Sequence, residues 1–208
     1  MKNKIRIGFI INYRLEGWLG VTNYYKNFFD IINLKKNSEF EIIILTDYFM
    51  TKNEQNKFKG IKIIRSNLFN RRSKLNKIFN LFSIILFGKN FLIDNFLEKK
   101  NIKIISHTNF TGKNSKVPSL KWFPDFQEFR YPENFNFKQK FARKLDIYLS
   151  SIHASKILVS SKSVQNNLKK INFKAFKNSK ILYHTTFIGK NIKLLKTKKL
   201  KKKFNINT

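Results

Sequence analysis

Short apolar runs rich in β-branched residues alternate along this chain with stretches whose apolar residues recur every three or four positions. The runs are Ile5–Ile11, Phe40–Leu45, Ile61–Ile64, Ile102–Ile105, Leu120–Phe123, Lys156–Val159 and Lys180–Tyr183. In most of them the apolar residues are consecutive and not alternating with polar ones, which predicts strands covered on both faces, as in a parallel sheet. Between the first two runs, Val21, Tyr24, Tyr25, Phe28, Phe29 and Ile32 fall at helical spacing and form one stripe. Phe137, Phe141, Leu145, Tyr148, Leu149 and Ile152 repeat the pattern. So do Val164, Leu168 and Ile171, with Ser160 or Ser161 placed to cap that helix. Strands alternating with helices imply right-handed βαβ units. The expected fold is a single α/β domain over residues 1–189, with a Rossmann-like, doubly wound and mostly parallel sheet.

Two segments stand outside that alternation. From Leu75 to Leu97 the chain is apolar on nearly every side and is flanked by Arg71, Arg72, Lys74, Lys77 and Lys89. It fits either a buried core helix or an interfacial helix drawn to anionic lipid. The longest apolar run within it, Leu81–Phe87, is too short to span a bilayer. From Lys190 to Lys203 eight of fourteen residues are Lys. Residues 190–208 are expected to be a linker or the start of a further domain. The basic start Met1-Lys-Asn-Lys precedes an apolar run with no small-residue cleavage site, so that run reads as a strand, not a signal peptide.

Charge adds less than its size suggests. The net charge is +31, which points first to nucleic acid. Yet Lys, Ile, Asn and Phe make up 112 of the 208 residues, and all four can be encoded by A and T alone. An AT-rich genome inflates this set whatever the protein does. The cations are spread along the chain apart from the last Lys run, and no RNP, KH or helix-turn-helix motif is present, which argues against nucleic acid as partner. A basic nucleic-acid-binding α/β domain remains the competing reading. Cysteine is absent, excluding a disulfide framework and thiolate metal sites. His107, His153 and His184 lack zinc spacing, so no metal site is expected.

Candidate chemistry collects where strands end. Gly17 and Gly20, with Trp18 between them, lie in the turn after the first run and before the first helix. Glycine allows close backbone approach to a ligand, and a helix start offers free N–H groups to an anion. The spacing is not a dinucleotide fingerprint. A second loop follows the fifth run: Trp122-Phe-Pro-Asp125-Phe-Gln127-Glu128-Phe-Arg130-Tyr-Pro-Glu133. Carboxylates and amides beside aromatic rings suit sugar hydroxyls. His107 follows the fourth run on the same predicted edge.

The stretch from Trp122 to Phe135, the helix carrying Arg143 and the run Ile157-Leu-Val-Ser-Ser161 resemble glycosyltransferases of family four. More narrowly they are similar to bacterial polysaccharide and lipopolysaccharide mannosyltransferase-like members, in which Pro-Asp-Phe-Gln-His precedes Leu-Pro-Glu. This chain has Glu128 at that His position. The Gly17-Trp-Leu-Gly20 loop before Asn23-Tyr24 fits the same family. The resemblance implies the amino-terminal, acceptor-binding half of a GT-B fold. It implies retaining hexosyl transfer from a nucleotide sugar to a glycan or lipid-linked acceptor, with no cofactor or obligatory metal. It places Gly17, Trp18 and Gly20 near the diphosphate. Asp125, Gln127, Glu128 and His107 fall near the acceptor, and Arg143 orients the second loop or a phosphate. The donor-side pair of Glu separated by seven residues has no counterpart here. A carboxyl-terminal donor-binding domain or subunit is therefore an expected partner. The expected place of work is the cytoplasm, peripheral on the inner face of the plasma membrane.

Overall fold

The structure is a computed structural model, described for residues 4–11, 19–34, 39–70, 73–107 and 111–183. Strand β2 (Phe40–Thr46) shows why its run lacks polar alternation. Ile42 and Ile44 pack beneath helix α1 (Leu19–Leu34) together with Phe9, Tyr25 and Phe29. Ile43 and Leu45 point to the other face, against Leu97, Ile102 and Ile105. Both faces are covered, so both registers must be apolar.

All seven predicted strands form, and all pair in parallel. They are β1 (Ile5–Ile10), β2, β3 (Lys62–Arg65), β4 (Ile102–Ser106), β5 (Ser119–Phe123), β6 (Lys156–Val159) and β7 (Ser179–Ile181). The sheet order is β3-β2-β1-β4-β5-β6-β7. From β1 the chain winds outward to β3, then returns to the other side of β1 at β4. This is the expected doubly wound sheet, with its switch point between β1 and β4. The last strand ends at Ile181, two residues short of the predicted run.

After the short α2 (Lys52–Asn56), the apolar segment 75–97 divides into two helices, α3 (Lys74–Phe87) and α4 (Phe91–Lys99). The break is at Gly88, which caps α3 with φ of 68°. Gly112 packs so closely beneath it that a Cβ there would lie 2.2 Å from the Gly88 carbonyl oxygen. Two glycines thus set the corner. Between β5 and β6 stand the short α5 (Gln127–Arg130) and the long α6 (Phe137–His153); α7 (Lys162–Ile171) and α8 (Phe173–Lys177) follow β6. Of the two candidate caps for α7, Ser161 takes the role, accepting the Val164 N–H at 3.2 Å.

The apolar stripe of α6 does not face the sheet. Arg143, Asp146, Ile147, Ser150 and Ala154 follow helical spacing along the inward side. Arg143 pairs with Glu128, and Lys121 of β5 donates to Asp146 at 2.9 Å. Small Ser150 and Ser151, both buried, let the helix approach the strands closely. With ion pairs fixing the inward face, Phe137, Phe141 and Tyr148 are left more than half exposed.

Candidate functional site

In an open α/β sheet the ligand crevice lies beyond the carboxyl ends of the strands at the switch point. Here that position is the end of β1 and the end of β4. His107 follows β4 directly, with φ of 60°, a left-handed conformation that is uncommon outside glycine. Strict alternation would send residue 107 to the same face as Ile105, beneath α4. The left-handed turn instead brings its ring to the face of α1, among Phe9, Tyr24, Phe28 and Trp122.

Four polar groups hold the ring and its backbone. Tyr24 Oη lies 2.7 Å from Nε2, and Ser106 Oγ lies 2.8 Å from Nδ1. The Tyr25 hydroxyl donates to the His107 carbonyl at 3.2 Å. The His107 amide donates to the Leu120 carbonyl, tying β4 to β5. Burial pushes the Tyr24 phenol well above its ordinary range, so it stays protonated at neutral pH. Trp122 of β5 stacks on Tyr24, with centroids 4.4 Å apart and planes at 10°. The switch point is therefore floored by an ordered aromatic cluster with His107 locked inside it.

The second loop leaves the carboxyl end of β5, on the same edge of the sheet. The Ser160 hydroxyl, from the end of β6, donates to the Pro124 carbonyl at 2.6 Å and fixes where the loop begins. Within it the predicted acceptor residues divide. Gln127 is exposed and donates to Asp125 Oδ2 at 3.1 Å, so these two present a paired carboxylate and amide at the surface. Glu128 turns inward, only 6% exposed, and takes the Arg143 guanidinium of α6 as its ion-pair partner. Arg143 also lies over the Phe123 ring. The ion pair thus joins α6 to the second loop.

Gly20 lies in the first turn of α1, exposed, and a Cβ there would meet nothing within 4 Å. Gly17 and Trp18 lie outside the described residues, as does the Lys-rich segment 190–208. Behind the second loop a half-open cavity of about 480 Å³ runs between α5 and α7, lined by Phe126, Phe129, Arg130, Asn167 and Lys170 among others.

Sequence reasoning counted Tyr24, Tyr25 and Phe28 as a core stripe, and Tyr24 also as part of the family resemblance. The usable signal was their position on the helix opening the crevice, together with an aromatic residue, Trp122, near the end of β5. Ser106 carried no signal, because its role depends on the backbone turn at His107.

No protein-family model matches the chain, and no curated protein matches it in sequence. Solved structures do match in shape. A UDP-N-acetylglucosamine 2-epimerase superposes with a TM-score of 0.53 at 13% identity, over 86% of this chain and 48% of that one. The lipopolysaccharide outer core galactosyltransferase WaaB, in its apo form, gives 0.53 at 14% identity, over 89% and 47%. The S. aureus MnaA structure with UDP gives 0.51 at 13%, over 85% and 43%. The chain spans about half the length of each. At these identities the likeness is one of fold alone: this chain has the Rossmann-like α/β fold of one half of a GT-B protein.

Proposed function

We propose that this chain is the amino-terminal, acceptor-binding half of a glycosyltransferase of the family four type. The reaction is transfer of a hexosyl group from a nucleotide sugar to a glycan or lipid-linked acceptor. The bond from the anomeric carbon to the diphosphate breaks, and a bond from that carbon to an acceptor oxygen forms. The acceptor hydroxyl proton leaves, and a nucleoside diphosphate is released, with retention and without an obligatory metal. Asp125 and Gln127 hold acceptor hydroxyls. Glu128 and Arg143 fix the loop that presents them, and His107 shapes the floor of the crevice. Gly17, Trp18 and Gly20 stand toward the diphosphate. The donor site comes from a second domain or subunit, and the work is done at the cytoplasmic side of the membrane.

The observation that supports this most is a coincidence of place. The Pro124-Asp125-Phe126-Gln127 motif, read from sequence as a glycosyltransferase signature, leaves the same carboxyl edge on which His107 marks the switch point. Co-expression with a donor-binding domain, followed by assay for nucleoside diphosphate release and product, tests the proposal. Transfer is expected, and Asp125→Ala and Gln127→Ala should each lower kcat/KM for acceptor about tenfold or more. No transfer from any nucleotide sugar would overturn it. Release of an epimerised sugar nucleotide would instead favour the chemistry named for the epimerase neighbours.

A further inference from the structure

Helix α3 is built inside out. The residues it turns toward the protein are Asn76, Asn80, Ser83 and Ile84. Ser83 is 4% exposed and its hydroxyl donates to the Lys89 carbonyl at 2.8 Å; the Asn76 amide donates to the Asn67 carbonyl at 3.3 Å. The residues it turns outward are large and apolar: Leu75, Ile78, Phe82, Ile85, Leu86 and Phe87 are between 56% and 80% exposed. Phe91 extends the surface onto α4, its ring against Phe87 and beneath the Lys89 ammonium. A monomer in water gains nothing from such an arrangement, and contiguous apolar surface of this kind marks a binding face.

Charge identifies what binds. Between residues 66 and 93 the sequence has no Asp or Glu and has five cations, Arg71, Arg72, Lys74, Lys77 and Lys89. The first carboxylate beyond them, Asp94, is buried and accepts from the Ser115 hydroxyl at 2.7 Å. A second copy paired through this face would bring together two segments that carry Lys89 and no exposed carboxylate. Helix α6 covers the same side of the sheet as α4, because the crossovers β3–β4 and β5–β6 run in the same direction across the sheet and are right-handed. Its outward residues Phe137, Phe141 and Tyr148 stand among Lys138, Lys140 and Lys144. A planar anionic partner can meet both outward faces at once. Among the described residues no helix is long and apolar enough to cross a membrane. At 14 residues α3 is about 21 Å long, which suits lying in an interface, not crossing it.

We propose that the α3–α4 face, with the outer stripe of α6, docks this protein onto an anionic lipid bilayer, with α3 lying in the headgroup region. This rests on the membrane placement in the proposal above and gives it a face; its test uses no sugar, so its failure and a failure of glycosyl transfer are distinguishable.

The test is sedimentation of the full chain with vesicles of phosphatidylcholine alone or mixed with phosphatidylglycerol, at roughly 0.15 M salt. The wild type should bind the mixed vesicles at least about tenfold more tightly. The triple variant Ile78→Ser, Phe82→Ser, Ile85→Ser keeps every charge, and should lose at least about tenfold on the mixed vesicles. Phe137→Ser with Phe141→Ser should lose less. Circular dichroism confirms that each variant is folded. Equal binding by the triple variant and wild type would overturn the proposal, because diffuse attraction of a +31 chain would then account for all of it. A wild type that ignores vesicles but self-associates through α3, with the triple variant monomeric, would also overturn it and give the face to a second copy.

Discussion

Helices α1 and α3 have similar apolar content and opposite fates. In α1 the apolar residues fall on one stripe, and Tyr25 and Phe29 are buried against β1 and β2. Of its polar residues, Asn23 and Lys26 face outward, while the small Thr22 is buried. In α3 the apolar residues cover most of the circumference, and its uncharged polar residues, Asn76, Asn80 and Ser83, turn inward together with Ile84. Helix α6 resembles α3, because its inward face carries Arg143, Asp146 and Ser150 while its phenylalanines face out. Periodicity reports that a helix has a stripe. Which side the stripe takes is decided by what the facing surface offers, and ion-pair partners on that surface can outvote apolar area.

The sharpest way to break this comparison is to truncate one aromatic ring in each helix. Phe29 is fully buried, so Phe29→Ala should cost about 3–5 kcal/mol in urea unfolding. Phe82 is 62% exposed, so Phe82→Ser should change stability by less than about 0.5 kcal/mol. Equal losses would mean that the outer face of α3 is covered within the monomer.

The next effect tests the polar end of the α1 stripe. Tyr24→Phe keeps the stacking on Trp122 and removes the hydroxyl beside His107 Nε2. The buried ring nitrogen then lacks that bond, at a cost of about 1–3 kcal/mol. If unfolding shows no loss, the locked His107 described above is wrong.

Much of the fold was legible because a doubly covered strand places apolar residues next to each other instead of alternating them with polar ones, and seven such runs, each with a single charged residue, stand out in the sequence. The sheet edge followed from strand direction, and with it the placement of His107 and the second loop. The rest depended on contacts between distant residues. Glu128 and Gln127 are neighbours in sequence and look equivalent there. Only the arrival of Arg143 from α6 sends Glu128 inward and leaves Gln127 with Asp125 at the surface. The break of segment 75–97 depended on Gly112, which lies 24 residues beyond Gly88 and packs against it.

A third effect probes the inward polar face of α6. Glu128→Gln removes the charge that Arg143 answers. Arg143 keeps some exposure to water, which limits the penalty to about 1–2 kcal/mol. A double-mutant cycle with Arg143→Met should give a coupling energy of the same order. Coupling near zero would mean that the ion pair does not orient α6, and the account of its outward stripe would need another cause.

The smallest effect comes from the carboxyl end of the same inward face. His153 is buried there, and burial first, then the nearby Lys113 and Lys174, hold its imidazole below the ordinary histidine range. The folded state therefore favours the neutral ring, while the unfolded chain takes up a proton near the usual pH 6.5. Below that pH the unfolded state binds more protons, so stability present above pH 6.5 is lost as the pH falls toward the lowered value. The loss over the first unit is less than about 1 kcal/mol. Asp94 works with the opposite sign, since burial raises its carboxyl above the usual carboxylate value. Its folded form therefore gains stability as the pH falls and the carboxyl is protonated. Thermal unfolding between pH 6.5 and 5.5 should thus show a shallow fall in Tm that His153→Gln flattens. An unchanged slope in the variant would show that the burial of His153 at the carboxyl end of α6 does not carry the pH dependence.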